Sequence, residues 1–90
     1  MANHKSAEKR ARQSERRRER NRQARSRIRT LEKGFRAAVA EGNPEAGSAR
    51  LRDVEAALRR AAAKGLVPKR RASRRISRMA KRLHQASAPK

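Results

Sequence analysis

Apolar side chains larger than alanine are absent between residues 2 and 27, and beyond that point they recur at steps of three and four. Such steps place side chains on one face of an α-helix, so the pattern predicts three helices with one apolar stripe each. The stripes are Ile28, Leu31, Phe35 and Ala38 in the first helix, Leu51, Val54, Leu58 and Ala61 in the second, and Ala72, Ile76, Met79 and Leu83 in the third.

Glycine and proline mark where these helices end and begin. Gly42 suits the left-handed residue that stops a helix, Asn43 suits the next N-cap, and Pro44 suits the first helical turn. Gly65 and Pro68 give the same pair of signals, a helix end followed by a helix start. Together these signals predict helices over 6–41, 44–63 and 69–86. Short connections make consecutive helices antiparallel, so we expect an all-α fold, an antiparallel three-helix bundle.

The segment 6–29 is different, because it is built from helix-forming residues and has no apolar face. At 1.5 Å per residue, a first helix of about 35 residues exceeds a second of about 20 by roughly 20 Å. We therefore expect one domain over 1–90, in which a basic arm at 1–27 overhangs a bundle at 28–86.

The net charge of the chain indicates what kind of partner this arm binds. The chain has 28 basic and 8 acidic residues, which gives a net charge of +20. Residues 1–30 hold 12 basic and 3 acidic residues, and residues 67–90 hold 9 basic and none acidic. A charge of this size opposes compaction and indicates an anionic partner, nucleic acid before membrane. Arginine outnumbers lysine, which favours phosphate binding because a guanidinium contacts two oxygens at once.

Several classes of function are disfavoured. The chain has no cysteine, so it predicts no disulfide and no thiolate metal site, and His4 and His84 lack partners for zinc or catalysis. We therefore expect no enzyme activity, no cofactor and no small-molecule substrate. No run approaches the length of a membrane span, and no signal peptide precedes the basic stretch, so an intracellular protein is expected.

Two alternative binding modes stay open at this point. The arm resembles a basic-zipper DNA-binding region in Arg20, Asn21 and Ala24, which would make the chain a nucleoid-type or basic-zipper-like DNA binder. The heptad leucines of a zipper are missing after it, because the helix is expected to stop at Gly42. A membrane-active peptide is the other alternative, but the arm has no aromatic or large apolar residue to insert.

The residues themselves resemble the bacterial small-subunit ribosomal protein twenty family. The similar positions in the N-terminal block are Met1, Ala2, Asn3, Lys5, Ser6, Ala7, Arg16, Arg17, Asn21, Arg25, Ser26, Arg29 and Thr30. A second block contains Ala63, Lys64, Gly65, Leu66, Lys69, Ala72, Arg74, Ser77 and Arg78. The chain departs from the family at Pro68, where histidine is usual, at Arg70, where asparagine is usual, and at Gly34, where a basic residue is common.

The resemblance implies a three-helix bundle with a long first helix that binds 16S ribosomal RNA directly in the body of the 30S subunit. It implies a cytoplasmic, ribosome-bound structural and assembly protein with no catalysis, no membrane and no homo-oligomer. Charge and resemblance together give the candidate RNA-binding residues Asn3, Lys5, Ser6, Lys9, Arg10, Arg12, Ser14, Arg16, Arg17, Arg18, Arg20, Asn21, Arg22, Arg25, Ser26, Arg27, Arg29, Lys64, Lys69, Arg70, Arg71, Arg74, Arg75 and Arg78.

Overall fold

Three α-helices make up the fold in the computed structural model, which describes residues 2–87 and the side chains of residues 4–86. They are α1 (Ala2–Ala40), α2 (Pro44–Ala63) and α3 (Lys69–Ser87). The predicted all-α class is confirmed. The predicted ends agree closely with the observed ones, except that α1 begins four residues earlier than the predicted residue 6.

The turn between α1 and α2 follows from three consecutive residues. Gly42 has a φ of 74°, a conformation that costs glycine little, and its N–H donates to the carbonyl of Val39. The Asn43 N–H reaches back to Ala38, while the Asn43 side chain accepts a hydrogen bond of 3.1 Å from the Ala46 N–H. Asn43 therefore closes one helix and caps the next.

The turn between α2 and α3 also contains a glycine in the left-handed conformation, Gly65, whose φ is 79°. Its N–H donates to Ala62, and the Leu66 N–H donates to Ala61, which is the pair of bonds of a Schellman motif. Leu66 is half-buried and Val67 is buried, so the turn itself contributes to the core. Pro68 then precedes α3, and its carbonyl accepts the N–H of Ala72.

The core lies where the three stripes meet. Phe35, Val54 and Leu58 are fully buried. The other buried hydrophobic residues are Ile28, Ala38, Ala61, Val67 and Ala72. Half-buried hydrophobic residues, among them Leu31, Leu51, Ile76, Met79 and Leu83, pack around them. Every predicted stripe residue is thus buried or half-buried, and Val67 is a core residue that helical periodicity did not predict.

The helices are antiparallel but do not contact each other equally. Val39, near the end of α1, lies close to Gly47, near the start of α2. Arg27, earlier in α1, lines one groove with Arg60, near the end of α2. α1 and α2 therefore run in opposite directions. Most of the packing joins α1 to α2 and α2 to α3, while α1 and α3 meet at few positions. One of these is an ion pair between Glu32 of α1 and Arg75 of α3, and the Glu32 side chain is only 14% exposed.

The molecule is elongated because α1 projects from the bundle. Its radius of gyration is 18.1 Å, against roughly 12 Å for a compact chain of this length. Ala24 of α1 lines a cleft with α2. The preceding part, residues 2–23, spans about 33 Å at 1.5 Å per residue, so the predicted overhang of roughly 20 Å was too short.

Gly34 and Gly47 lie within helices, and their surroundings predict different effects of alanine substitution on stability. A methyl group at Gly34 would lie 3.8 Å from Cδ of Arg50, an ordinary contact, whereas one at Gly47 would lie 2.6 Å from Cδ1 of Leu83. Gly34→Ala should therefore raise the free energy of unfolding by about 0.5–1 kcal/mol. Gly47→Ala should give no such gain unless Leu83→Ala removes the clash. Urea denaturation of the variants measures this, and equal gains from both glycine changes in the unaltered background would contradict it.

Candidate nucleic-acid interface

The N-terminal part of α1 is exposed on all sides. From His4 to Arg20 every side chain is exposed, and all twelve cations between Lys5 and Arg29 are exposed. The candidate residues on this surface are Lys5, Ser6, Lys9, Arg10, Arg12, Ser14, Arg16, Arg17, Arg18, Arg20, Arg22, Arg25, Ser26, Arg27 and Arg29. Asn21 is half-buried, and Asn3 lies in the first turn of α1, outside the described side chains. The arm is the segment 1–27 predicted above, and its side chains are described from His4 onward.

The acidic residues of the arm neutralise little of this charge. Glu19 accepts a hydrogen bond of 2.8 Å from the guanidinium of Arg22 and one of 3.3 Å from the amide of Gln23. The hydrogen bond from Arg22 lowers the pKa of Glu19, and the same bond raises the pKa of Arg22. Among the side chains that the structure describes, Glu8 and Glu15 form no ion pair, so most of the arm's cations have no acidic partner.

α3 provides a second cationic surface. Its exposed cations are Lys69, Arg70, Arg71, Arg74, Arg78, Lys81 and Arg82. Arg75, another candidate RNA-binding residue, is only half-buried rather than exposed. Its side chain is 35% exposed and pairs with Glu32 of α1, which also lies 4.0 Å from Arg36. The charge of Arg75 therefore helps to hold α3 against α1.

The arm and α3 meet in a cleft where α1 enters the bundle. Arg25 and Arg29 of α1 face Arg71 and Arg75 of α3 across this α1–α3 cleft, whose volume is about 310 Å³. Its apolar lining is formed by Ile28, Leu66 and Val67. Candidate residues that are more than 40 positions apart in sequence thus line one surface, which periodicity alone did not predict.

A second cleft lies between α1 and α2. Arg27, Arg60 and Lys64 line it, together with Ala24, Ala57, Ala61, Ile28 and Leu66. We call it the α1–α2 cleft. Arg27 and Lys64 were expected at the interface from the sequence, whereas Arg60 was not. The available signal was spacing, because Arg60 and Lys64 are four residues apart and therefore share a face of α2.

Other kinds of site find little support in this geometry. Within residues 2–87, no group of three or more histidine, cysteine or acidic side chains is placed to hold a metal ion. None of the described helices combines the length and apolar character needed to cross a membrane. The zipper alternative also lacks its second half, because α1 ends at Ala40 and its apolar seam packs inside this chain.

Comparison with known proteins gives one consistent result. The family model described as Ribosomal protein S20 matches residues 2–84. The small ribosomal subunit protein bS20 of Dinoroseobacter shibae is 46% identical over 88 residues, covering 98% of this chain and all of that protein. The protein of the same name from Vibrio atlanticus is 50% identical over 80 residues, covering 89% of this chain and 93% of its own length.

Proposed function

This chain belongs to the ribosomal protein S20 family, and from that premise we propose that it is a structural protein of the small ribosomal subunit that binds 16S ribosomal RNA directly. The family consists of structural ribosomal proteins and not of enzymes. The proposal includes a cytoplasmic, ribosome-bound location and one copy of the chain per binding site, because the apolar stripes of the three helices are used within the chain.

The observation that carries this proposal is the exposed arm. A helix that is polar on all sides has no apolar face through which it could pack against a protein core. Here residues 2–23 extend about 33 Å beyond the α1–α2 cleft, and all the cations of the arm are exposed to solvent. Close approach of RNA phosphates would relieve the mutual repulsion of these cations and release counterions, and both effects favour binding.

The side-chain inventory supports recognition of the RNA backbone over recognition of bases. Phe35 is the only aromatic residue of the chain, and it is fully buried in the core. Proteins that read single-stranded bases commonly stack them on exposed Phe, Tyr or Trp side chains, and this chain has no exposed side chain of these three types. We therefore propose that specificity comes from the shape of the folded RNA around the arm rather than from base-edge contacts.

The proposed division of labour follows the fold. Residues 1–27 form the RNA-binding arm, and residues 28–86 form the bundle that fixes its direction. The exposed cations of α3 form the second contact surface, and the Glu32–Arg75 ion pair holds this surface beside the root of the arm. Both surfaces belong to one chain, so together they can contact RNA that surrounds the arm.

Salt dependence provides the test. If the protein contacts about 8–12 phosphates, the logarithm of its affinity for 16S ribosomal RNA should fall against the logarithm of salt concentration with a slope of roughly −6 to −10. Filter binding over a salt series measures the slope. A slope near −2 would mean that the arm remains in solvent. Equal affinity for a DNA duplex of matched length would favour the DNA-binding alternative instead.

A further inference from the structure

We propose that the α1–α2 cleft binds a single backbone phosphate of the ribosomal RNA, with Arg27, Arg60 and Lys64 as its ligands. This inference rests on the proposed function and adds α2 to the elements that contact RNA. It assigns a role to Arg60, which neither the charge pattern of the arm nor that of α3 includes.

Three cations from two helices converge on this cleft. Arg27 comes from α1, while Arg60 and Lys64 lie one turn apart at the end of α2. All three are exposed, and among the described side chains none of them forms an ion pair. Arg59, the neighbour of Arg60, is by contrast bound to Glu55 at 2.8 Å. The three cleft cations therefore have their hydrogen-bond donors available for an anion.

The size of the cleft limits what it can accept. Its volume is about 100 Å³, and short side chains at Ala24, Ala57 and Ala61 line it. Pockets for organic ligands usually measure about 300–1,000 Å³, so a nucleotide cofactor or metabolite would not be enclosed here. A phosphate group presented by an RNA strand on the surface needs only its oxygens to enter. The alanines allow that approach because no long side chain blocks the space between the cations.

The charged residues around the α1–α2 cleft indicate the path that a bound RNA strand follows. None of the residues that line the α1–α2 cleft is acidic. One helical turn before Ala57 on α2, Asp53 lines an adjoining groove together with Arg27 and Arg60. A phosphate backbone is attracted on the arm side and opposed at Asp53. The RNA strand should therefore follow the arm to the root of α1, place one phosphate against Arg60 and Lys64, and leave before it reaches Asp53.

A pair of charge-matched double variants tests the site. R60Q/K64Q removes two cleft cations, and R50Q/R52Q removes two cations from the same helix that, like the cleft cations, form no ion pair among the described side chains but do not line the cleft. All four side chains are exposed, and glutamine preserves helix propensity, so both variants should fold. R60Q/K64Q should weaken binding to 16S ribosomal RNA by roughly tenfold to a hundredfold and reduce the salt slope by about 1, because the cleft holds one phosphate. R50Q/R52Q should change affinity less than threefold.

Footprinting adds a local readout. R60Q/K64Q should lose backbone protection at one short stretch of the RNA and retain protection elsewhere. Equal losses of affinity in the two double variants, with no local change in protection, would overturn the inference and leave the proposed function in place. Failure of the unaltered protein to bind 16S ribosomal RNA would overturn both. If the melting temperature of R60Q/K64Q falls, the comparison of K64Q with R52Q gives the same decision.

Discussion

Replacing Arg16, Arg17 and Arg20 together by glutamine should weaken binding to 16S ribosomal RNA by roughly a hundredfold to a thousandfold at moderate salt. All three side chains are exposed on the arm, and none forms an ion pair among the side chains that the structure describes. Glutamine preserves helix propensity while removing three positive charges. The salt slope should therefore decrease by about 3, while the midpoint of urea unfolding stays unchanged because no core contact is altered.

The matched control is the variant in which Glu8, Glu15 and Glu19 are replaced by glutamine. These three acids lie on the same side of the helical wheel, away from the extension of the core seam. Their removal raises the net charge and frees Arg22 from Glu19, so binding should strengthen by a few-fold. If the arginine variant binds like the unaltered protein, or the glutamate variant loses binding, then α3 becomes the leading RNA contact.

The helix boundaries could be predicted from the sequence because their causes are local. Gly42, Asn43 and Gly65 each satisfy backbone groups within a few residues of themselves, so their effect depends little on the rest of the fold. The apolar stripes were predictable for a related reason, since a 3.6-residue period needs only the helix itself. The exposed arm was predictable because no stripe extends into it.

The length of the free arm was not predictable, since it depends on packing between helices. Counting residues gave the difference in length between α1 and α2, but it could not give the point where α2 ends along α1. That point is fixed by the contact of Leu66 and Ala61 with the region around Ile28. It leaves 22 residues of α1, residues 2–23, beyond the last shared cleft.

The details of the interface also depend on tertiary contacts. Arg75 looks like every other cation of α3 in the sequence, but its partner Glu32 is 43 positions away. Arg60 looks like Arg59, yet Arg59 pairs with Glu55 on its own helix while Arg60 lines a cleft with α1. A charge pattern predicts that cations are exposed, but neighbouring helices decide which of them hold the fold together and which remain available to RNA.

Leu58→Ala should have the largest effect on stability, a loss of about 2–5 kcal/mol in the free energy of unfolding. Leu58 is fully buried and belongs to the same core cluster as Phe35 and Val54, so its removal leaves a cavity. The half-buried Leu83 is the control, because Leu83→Ala removes a side chain that is already partly in contact with water and should cost less. Urea unfolding of the free proteins measures both.

The same variant separates folding from binding. A marginal 90-residue bundle that loses several kcal/mol will be partly unfolded, and RNA that binds only the folded state will restore it. RNA at about 100 times its dissociation constant should return about 2.7 kcal/mol to the free energy of unfolding. Leu58→Ala should therefore regain much of its helical circular dichroism with 16S ribosomal RNA and keep the salt slope of the unaltered protein. If the affinity of Leu58→Ala for the RNA instead falls less steeply with salt concentration than that of the unaltered protein, the bundle core is needed to direct the arm's phosphate contacts.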